Sequence, residues 1–115
     1  MKQSEVWLIN LDPTIRAEIK KTRPAIVVND NSLGKLPLKI IVPLTDWKER
    51  YKIAPWMVYI KTDTTNNLSK ESAADCFQIG SISEERFIKK TGRISLSNLE
   101  EIKEALSKAL TIENY

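Results

Sequence analysis

Short runs of aliphatic and β-branched residues recur at close intervals along the 115-residue chain, at positions 6–9, 25–28, 39–42, 56–60 and 77–79. Each is too short for a buried helix and rich in side chains that suit a pleated surface, so the core has to be built from a sheet. Five or six strands are expected, the sixth around residues 93–95. Turn-forming residues separate the runs: Asp12-Pro13, the segment from Asn29 to Gly34, and the polar stretch 62–72.

Helical signals are confined to the second half. Ser83-Glu84-Glu85 predicts a short helix with Ser83 as N-cap and two acids in the first turn. Ser97-Asn98-Leu99-Glu100 has the spacing of a capping box, and Leu99, Ile102, Leu106, Ala109 and Leu110 recur at helical period. That stripe reads as packing against the sheet, with Glu104 and Lys108 as a weak surface pair. The sum is a strand-rich α+β domain occupying residues 1–115. Its simplest form is a small barrel or a strongly bent antiparallel sheet with a short helix and a C-terminal helix.

Composition then removes whole classes of chemistry. The chain has no histidine, and its one cysteine is Cys76. The usual general base, the usual metal ligand and every Ser/His or Cys/His pair are therefore missing. Without a histidine partner, Cys76 reads as a small buried hydrophobe rather than a nucleophile. The start of the chain carries no secretory pattern, and no apolar run approaches the roughly 18 to 20 residues of a membrane helix, so the cytoplasm is the expected compartment. Net charge is +3, but residues 1–57 hold ten Lys/Arg against six Asp/Glu, and residues 58–115 hold eight against nine. The basic surplus lies in the first half, where it could draw in a polyanion.

The connection 12–24 is long for a strand–strand link and carries Arg16, Glu18, Lys20, Lys21 and Arg23. It suits either a solvated surface loop or a functional one. Arg23 stands apart because Pro24 restricts its backbone to an extended conformation as the second strand begins. A planar guanidinium fixed there can hold two phosphate oxygens, although an arginine at a strand entrance can equally be a surface residue. Thr45 closes the third run after Pro43-Leu44, where a hydroxyl can donate to a phosphate or simply cap the strand. Trp47, Tyr51 and Trp56 follow, interleaved with Lys48, Arg50 and Lys52. That pattern suits base stacking beside backbone contacts, or core and interface packing.

Taken together, Val6-Trp7-Leu8-Ile9-Asn10-Leu11-Asp12-Pro13, Glu18 and Arg23-Pro24-Ala25-Ile26-Val27-Val28 resemble the opening of the MazF/PemK toxins. The resemblance continues through Ile41-Val42-Pro43-Leu44-Thr45, Gln78-Ile79, Glu85-Arg86-Phe87 and Gly92-Arg93-Ile94 into the C-terminal segment, nearly the whole chain. It implies an SH3-like or CcdB-like barrel, a homodimer and a sequence-specific mRNA interferase. Such an enzyme cuts single-stranded RNA without metal or cofactor, leaving a 2′,3′-cyclic phosphate and a 5′-hydroxyl. It also implies a MazE-like antitoxin, through which alone any DNA contact would come. Carried over by position, the family's catalytic residues fall on Arg23, Thr45 and Glu18. Lys20, Lys21, Thr22, Trp47, Lys48 and Gln78 are the expected RNA contacts. The chain departs from the pattern at Ser4-Glu5, at Arg16-Ala17, and at Gly80 where a basic residue is common. Asp75 and Cys76 match too loosely to receive roles.

Such an active site would need no metal, because RNA cleaves itself once its 2′-hydroxyl is aligned with the neighbouring phosphate. Arg23 and Thr45 suit stabilisation of the developing charge and Glu18 suits the base. The leaving oxygen's acid stays open between Arg23 and water, since arginine is a poor proton donor. The rival is a CcdB-like toxin that binds a protein target; the ending Ile112-Glu113-Asn114-Tyr115 lacks the Trp-Gly-Ile associated with that action. An inactive RNA-binding relative is a third alternative.

Overall fold

The computed structural model describes residues 1–11 and 22–112. Among these residues seven strands form one antiparallel sheet: β1 (Glu5–Asn10), β2 (Thr22–Val27), β3 (Leu38–Asp46), β4 (Met57–Ile60), β5 (Ser72–Asp75), β6 (Gly80–Ser83) and β7 (Phe87–Arg93). Their order is β4-β5-β3-β2-β1-β7, with β6 beside β3. The sheet is not closed. Its ends are β4 and β7, so the bent-sheet alternative describes it better than a barrel. The α-helix α1 (Leu96–Leu110) follows the last strand.

The nine-residue β3 is the spine. Along one side Ile41, Val42 and Pro43 face Val27, Ile26 and Ala25 of β2. Along the other, Leu38 to Ile41 pair with β6 and Leu44 to Asp46 pair with β5. Alternation along the strands sends side chains to two faces. Val6, Ile26, Val42 and Leu44 join Ile60, Ala74 and Cys76 under Leu99, Ile102 and Ala105 of the helix. Ile9, Ala25, Val27 and Ile41 form a second cluster on the opposite face with Trp7, Leu11, Ile82 and Phe87.

Several expectations need correction. The apolar run 77–79 is not a strand: Cys76–Gln78 is a 3-10 turn, and the Asp75 carboxylate accepts from the Phe77 amide at 3.2 Å. Phe77 is 70% exposed, so the run has no core-facing alternation. The strands lie on either side, in β5 and β6. Both were illegible because Ser72-Ala73-Ala74-Asp75 and Gly80-Ser81-Ile82-Ser83 are made largely of weak strand formers, yet all four residues of β5 are buried. The last strand spans Phe87–Arg93 rather than 93–95; as an edge strand it carries exposed Lys89 and Lys90, which hide its pattern.

Glu84–Arg86 is a single 3-10 turn, and Ser83 caps it without a side-chain hydrogen bond. The helix is capped by Ser95, whose Oγ accepts from the Asn98 amide at 3.0 Å, and Ser97 falls inside it. Leu99, Ile102 and Ala105 are its buried residues, with Leu106 partly covered. Ala109 and Leu110 are exposed. The Glu104–Lys108 pair forms at 3.7 Å on an exposed face, as expected. Gly92 is fixed by a close approach: a Cβ there would lie 2.5 Å from the Asn66 carbonyl oxygen, where the segment before β5 crosses β7.

Candidate active site

The site begins with strand register. Ala25 of β2 faces Pro43 of β3. Continuing that register two positions toward the strand ends brings Arg23 opposite Thr45. Arg23 pairs with Ile9 of β1, and Thr45 with Ala73 of β5, so each backbone is held by the strand on its outer side. By the twofold alternation of strands, Arg23 shares a face with Ala25 and Val27, and Thr45 shares it with Ile41 and Pro43. Proline is tolerated at position 24 because the local geometry is already extended, and the same residue stiffens the point from which Arg23 departs.

Arg23 and Thr45 line two adjoining depressions. The larger, about 420 Å³, also holds Thr22, Asp46, Lys70 and Ser72. The smaller, about 250 Å³, adds Leu11, Tyr51, Asp75 and Gln78. Arg23 is exposed and, among the described residues, has no ion-pair partner. A guanidinium open to solvent in a concave surface is available to an anionic ligand. Lys70, by contrast, is paired with Asp46 at 3.1 Å.

Asp75 is the residue that sequence reasoning missed. It is 9% exposed at the end of β5, and its Oδ2 accepts from Gln78 Nε2 at 2.7 Å while Oδ1 accepts from the Phe77 amide. It therefore fixes the turn and aims Gln78 along the wall of the smaller depression. The available signal was local: an acid followed three residues later by a glutamine, flanked by small residues, is the pattern of an Asx-capped turn.

The other expected residues divide. Thr22 and Gln78 line the depressions with Arg23 and Thr45. Trp47 lies next door, half-buried in an aromatic cup with Tyr51 and Tyr59, and Lys48 is exposed and lines neither depression. Glu18, Lys20 and Lys21 lie outside the described residues, as do Arg16 and Ala17. Cys76 is fully buried; burial, and then the neighbouring Asp75 charge, push its thiol up to about 12, which keeps it protonated and unreactive. Gly80 has room for a side chain, since a Cβ there would meet only the Gln78 carbonyl at 3.8 Å. Among the described residues no three Cys, Asp or Glu side chains cluster as a metal site would need.

Comparison with known proteins bears on this geometry. The model of a PemK-like, MazF-like toxin of type II toxin-antitoxin systems matches residues 2–110. Endoribonuclease MazF9 of Mycobacterium tuberculosis is 31% identical over 112 residues, 92% of this chain and 92% of that one. Among solved structures, an endoribonuclease in complex with its cognate antitoxin from Mycobacterial species superposes with a TM-score of 0.77 at 16% identity, covering 100% of this chain and 99% of that chain. A MazE-MazF complex from Deinococcus radiodurans gives 0.77 at 17% identity, covering 98% and 97%. At such identities the structures show a common fold, while the family model and the curated relative carry the assignment. With that match over nearly its whole length, the chain belongs to the PemK-like, MazF-like toxins of type II toxin-antitoxin systems.

Proposed function

We propose that this chain is a metal-independent endoribonuclease that cleaves single-stranded mRNA at a preferred sequence and is silenced by an antitoxin. The observation that carries the reading is the placement of Arg23 and Thr45 at facing ends of two paired strands, in one concave surface. Cleavage by RNA's own 2′-hydroxyl needs that oxygen deprotonated, the new P–O2′ bond formed and the P–O5′ bond broken, with a proton from Arg23 or water passing to the leaving O5′. The products are a 2′,3′-cyclic phosphate and a 5′-hydroxyl, and no metal enters the balance.

Arg23 takes the central task, donating to non-bridging oxygens as negative charge builds on the phosphorane-like transition state, with Thr45 as a second donor. Glu18 is the base. Lys20, Lys21, Thr22, Trp47, Lys48 and Gln78 contact the strand, Gln78 with its amide steadied by Asp75. The domain works as a homodimer in the cytoplasm with a MazE-like antitoxin as regulator; the antitoxin complexes solved for two structural relatives support that partner.

The test is incubation of the purified protein with mixed RNA in excess chelator, followed by mapping of the new 5′ ends. Single-stranded RNA should be cut, with duplex RNA and DNA surviving, the latter for want of a 2′-hydroxyl. Dependence on added magnesium, or equal cutting of DNA, would overturn the mechanism. Intact RNA from a well-folded protein would favour the protein-binding or inactive alternative.

A further inference from the structure

Beside the Arg23–Thr45 surface lies a cup of about 510 Å³ lined by Trp47, Tyr51, Met57 and Tyr59, with Glu49, Lys52 and Glu71 at its margin. Trp47 meets Tyr59 at 5.0 Å between ring centroids and Tyr51 at 5.9 Å, with the planes 73° and 74° apart. The rings are therefore not stacked in parallel on one another. The cup is continuous with the site, because Tyr51 lines both it and the smaller depression, and Trp47 follows Thr45 by two positions. Its walls are held by the sheet: the Trp47 amide donates to the Glu71 carbonyl at 3.1 Å, and Tyr59 of β4 pairs with Ala73 of β5.

The polar groups are unequal. Lys52 is taken by Glu49 at 2.8 Å. Glu71 has no ion pair among the described residues, and its Oε1 accepts from the Tyr59 hydroxyl, which orients the carboxylate. A carboxylate is an acceptor only, with about four lone-pair directions, of which Tyr59 occupies one. A flat aromatic ligand suited to this cup must bring hydrogen-bond donors to Glu71.

Resting on the nuclease reading above, we infer that the cup takes one unpaired guanine of the substrate RNA, lying against Trp47 and Tyr59 with its Watson–Crick edge on Glu71. Guanine alone presents two adjacent donors there, N1–H and the N2 amino group. Adenine and cytosine set a ring acceptor beside their amino donor, and uracil flanks its single N–H with two carbonyls, so each would bring lone pairs toward the carboxylate. Aromatic contact supplies affinity for any base and the carboxylate supplies the choice.

The experiment has two arms. In the first, cut sites mapped on mixed RNA should share guanine at one fixed position beside the cut. Replacing that guanine by inosine, which lacks the N2 amino group, should lower kcat/KM about tenfold, and Glu71→Gln should reduce the preference for guanine by at least about tenfold, the scale of losing one well-made base contact. In the second arm, short RNAs with a 2′-deoxy substitution at the cut site are titrated onto the protein, so that base preference is read without cleavage. Guanine-dependent binding that weakens in Glu71→Gln supports the cup even if no RNA is cut, an outcome that would count against the nuclease reading alone. Cleavage with no guanine requirement, or a requirement unchanged in folded Glu71→Gln, overturns the cup while leaving the nuclease intact.

Discussion

Two ends of the same face of β3 treat charge in opposite ways. Lys39, near the start of the strand, is 2% exposed, and its ammonium is held by Glu84 at 2.9 Å and by the Leu36 and Gly34 carbonyls at 2.8 and 3.3 Å. Thr45, six positions on and therefore on the same face, sits beside Arg23, which is exposed and without an ion pair among the described residues. A buried cation has to be fully partnered, and here the partners are the 34–36 loop and the Glu84 turn, which it ties together. An arginine left open on a rigid strand keeps its donors for a ligand. Two basic residues that look alike in composition are thus placed differently, one buried and paired, the other open to solvent.

Arg23 gives the largest expected effect. Arg23→Ala should lower kcat/KM for RNA by about a thousandfold or about 4 kcal/mol, the scale of losing a preorganised oxyanion donor, with denaturant unfolding unchanged. Arg23→Lys should be nearly as damaging, since lysine keeps the charge and loses the planar fork. A lysine variant close to full activity would move the transition-state clamp elsewhere.

The converse holds at Lys39. Lys39→Met keeps most of the side chain's length and buried packing but removes the ammonium that ties the 34–36 loop and Glu84 together, so stability should fall by about 2 kcal/mol. The folded fraction should retain the wild-type cleavage rate. A selective loss of rate would mean that this end of the strand also serves catalysis.

Glu5 sharpens the contrast from the acidic side. It is 6% exposed in β1; burial pushes its carboxyl up, but the Lys2 amide, the Trp7 indole and Lys90 together outweigh burial and bring it to about 2. A lowered folded-state pKa adds stability that is present above the unfolded value near 4.5 and is lost as pH falls toward about 2. Allowing for the partly exposed Lys90, that share is on the order of 2 kcal/mol. Glu5→Gln should flatten the fall in stability between about pH 4.5 and 2, followed by urea titration at each pH. An unaltered acid limb would make another carboxylate responsible.

Salt should give the smallest effect. If Arg23 and one or two lysines of the 12–24 connection neutralise phosphates, affinity for uncleavable RNA should fall about tenfold between 50 and 200 mM salt, with a shallower slope in Arg23→Ala. Equal slopes would place the phosphate contacts away from Arg23.

Runs such as Val6-Trp7-Leu8-Ile9 and Ala25-Ile26-Val27-Val28 announce their strands because β-branched and aromatic residues alternate between two apolar faces. The same local chemistry marked Arg23, stiffened by Pro24, and Thr45 at a strand end as candidates, and it marked Cys76 as a buried, inert thiol. The small-residue strand β5, the lysine-bearing edge β7 and the 3-10 turn at Cys76–Gln78 left no such trace. Their conformations are set by what packs beside them. Nor could sequence decide that Lys39 is buried and Arg23 open, that Asp75 holds Gln78, or that Tyr59 and Glu71 complete a cup around Trp47. Strand propensity and backbone restriction are local and travel with the residues. Burial, charge pairing and the meeting of side chains from β3, β4 and β5 depend on register and distance, which exist only once the sheet has formed.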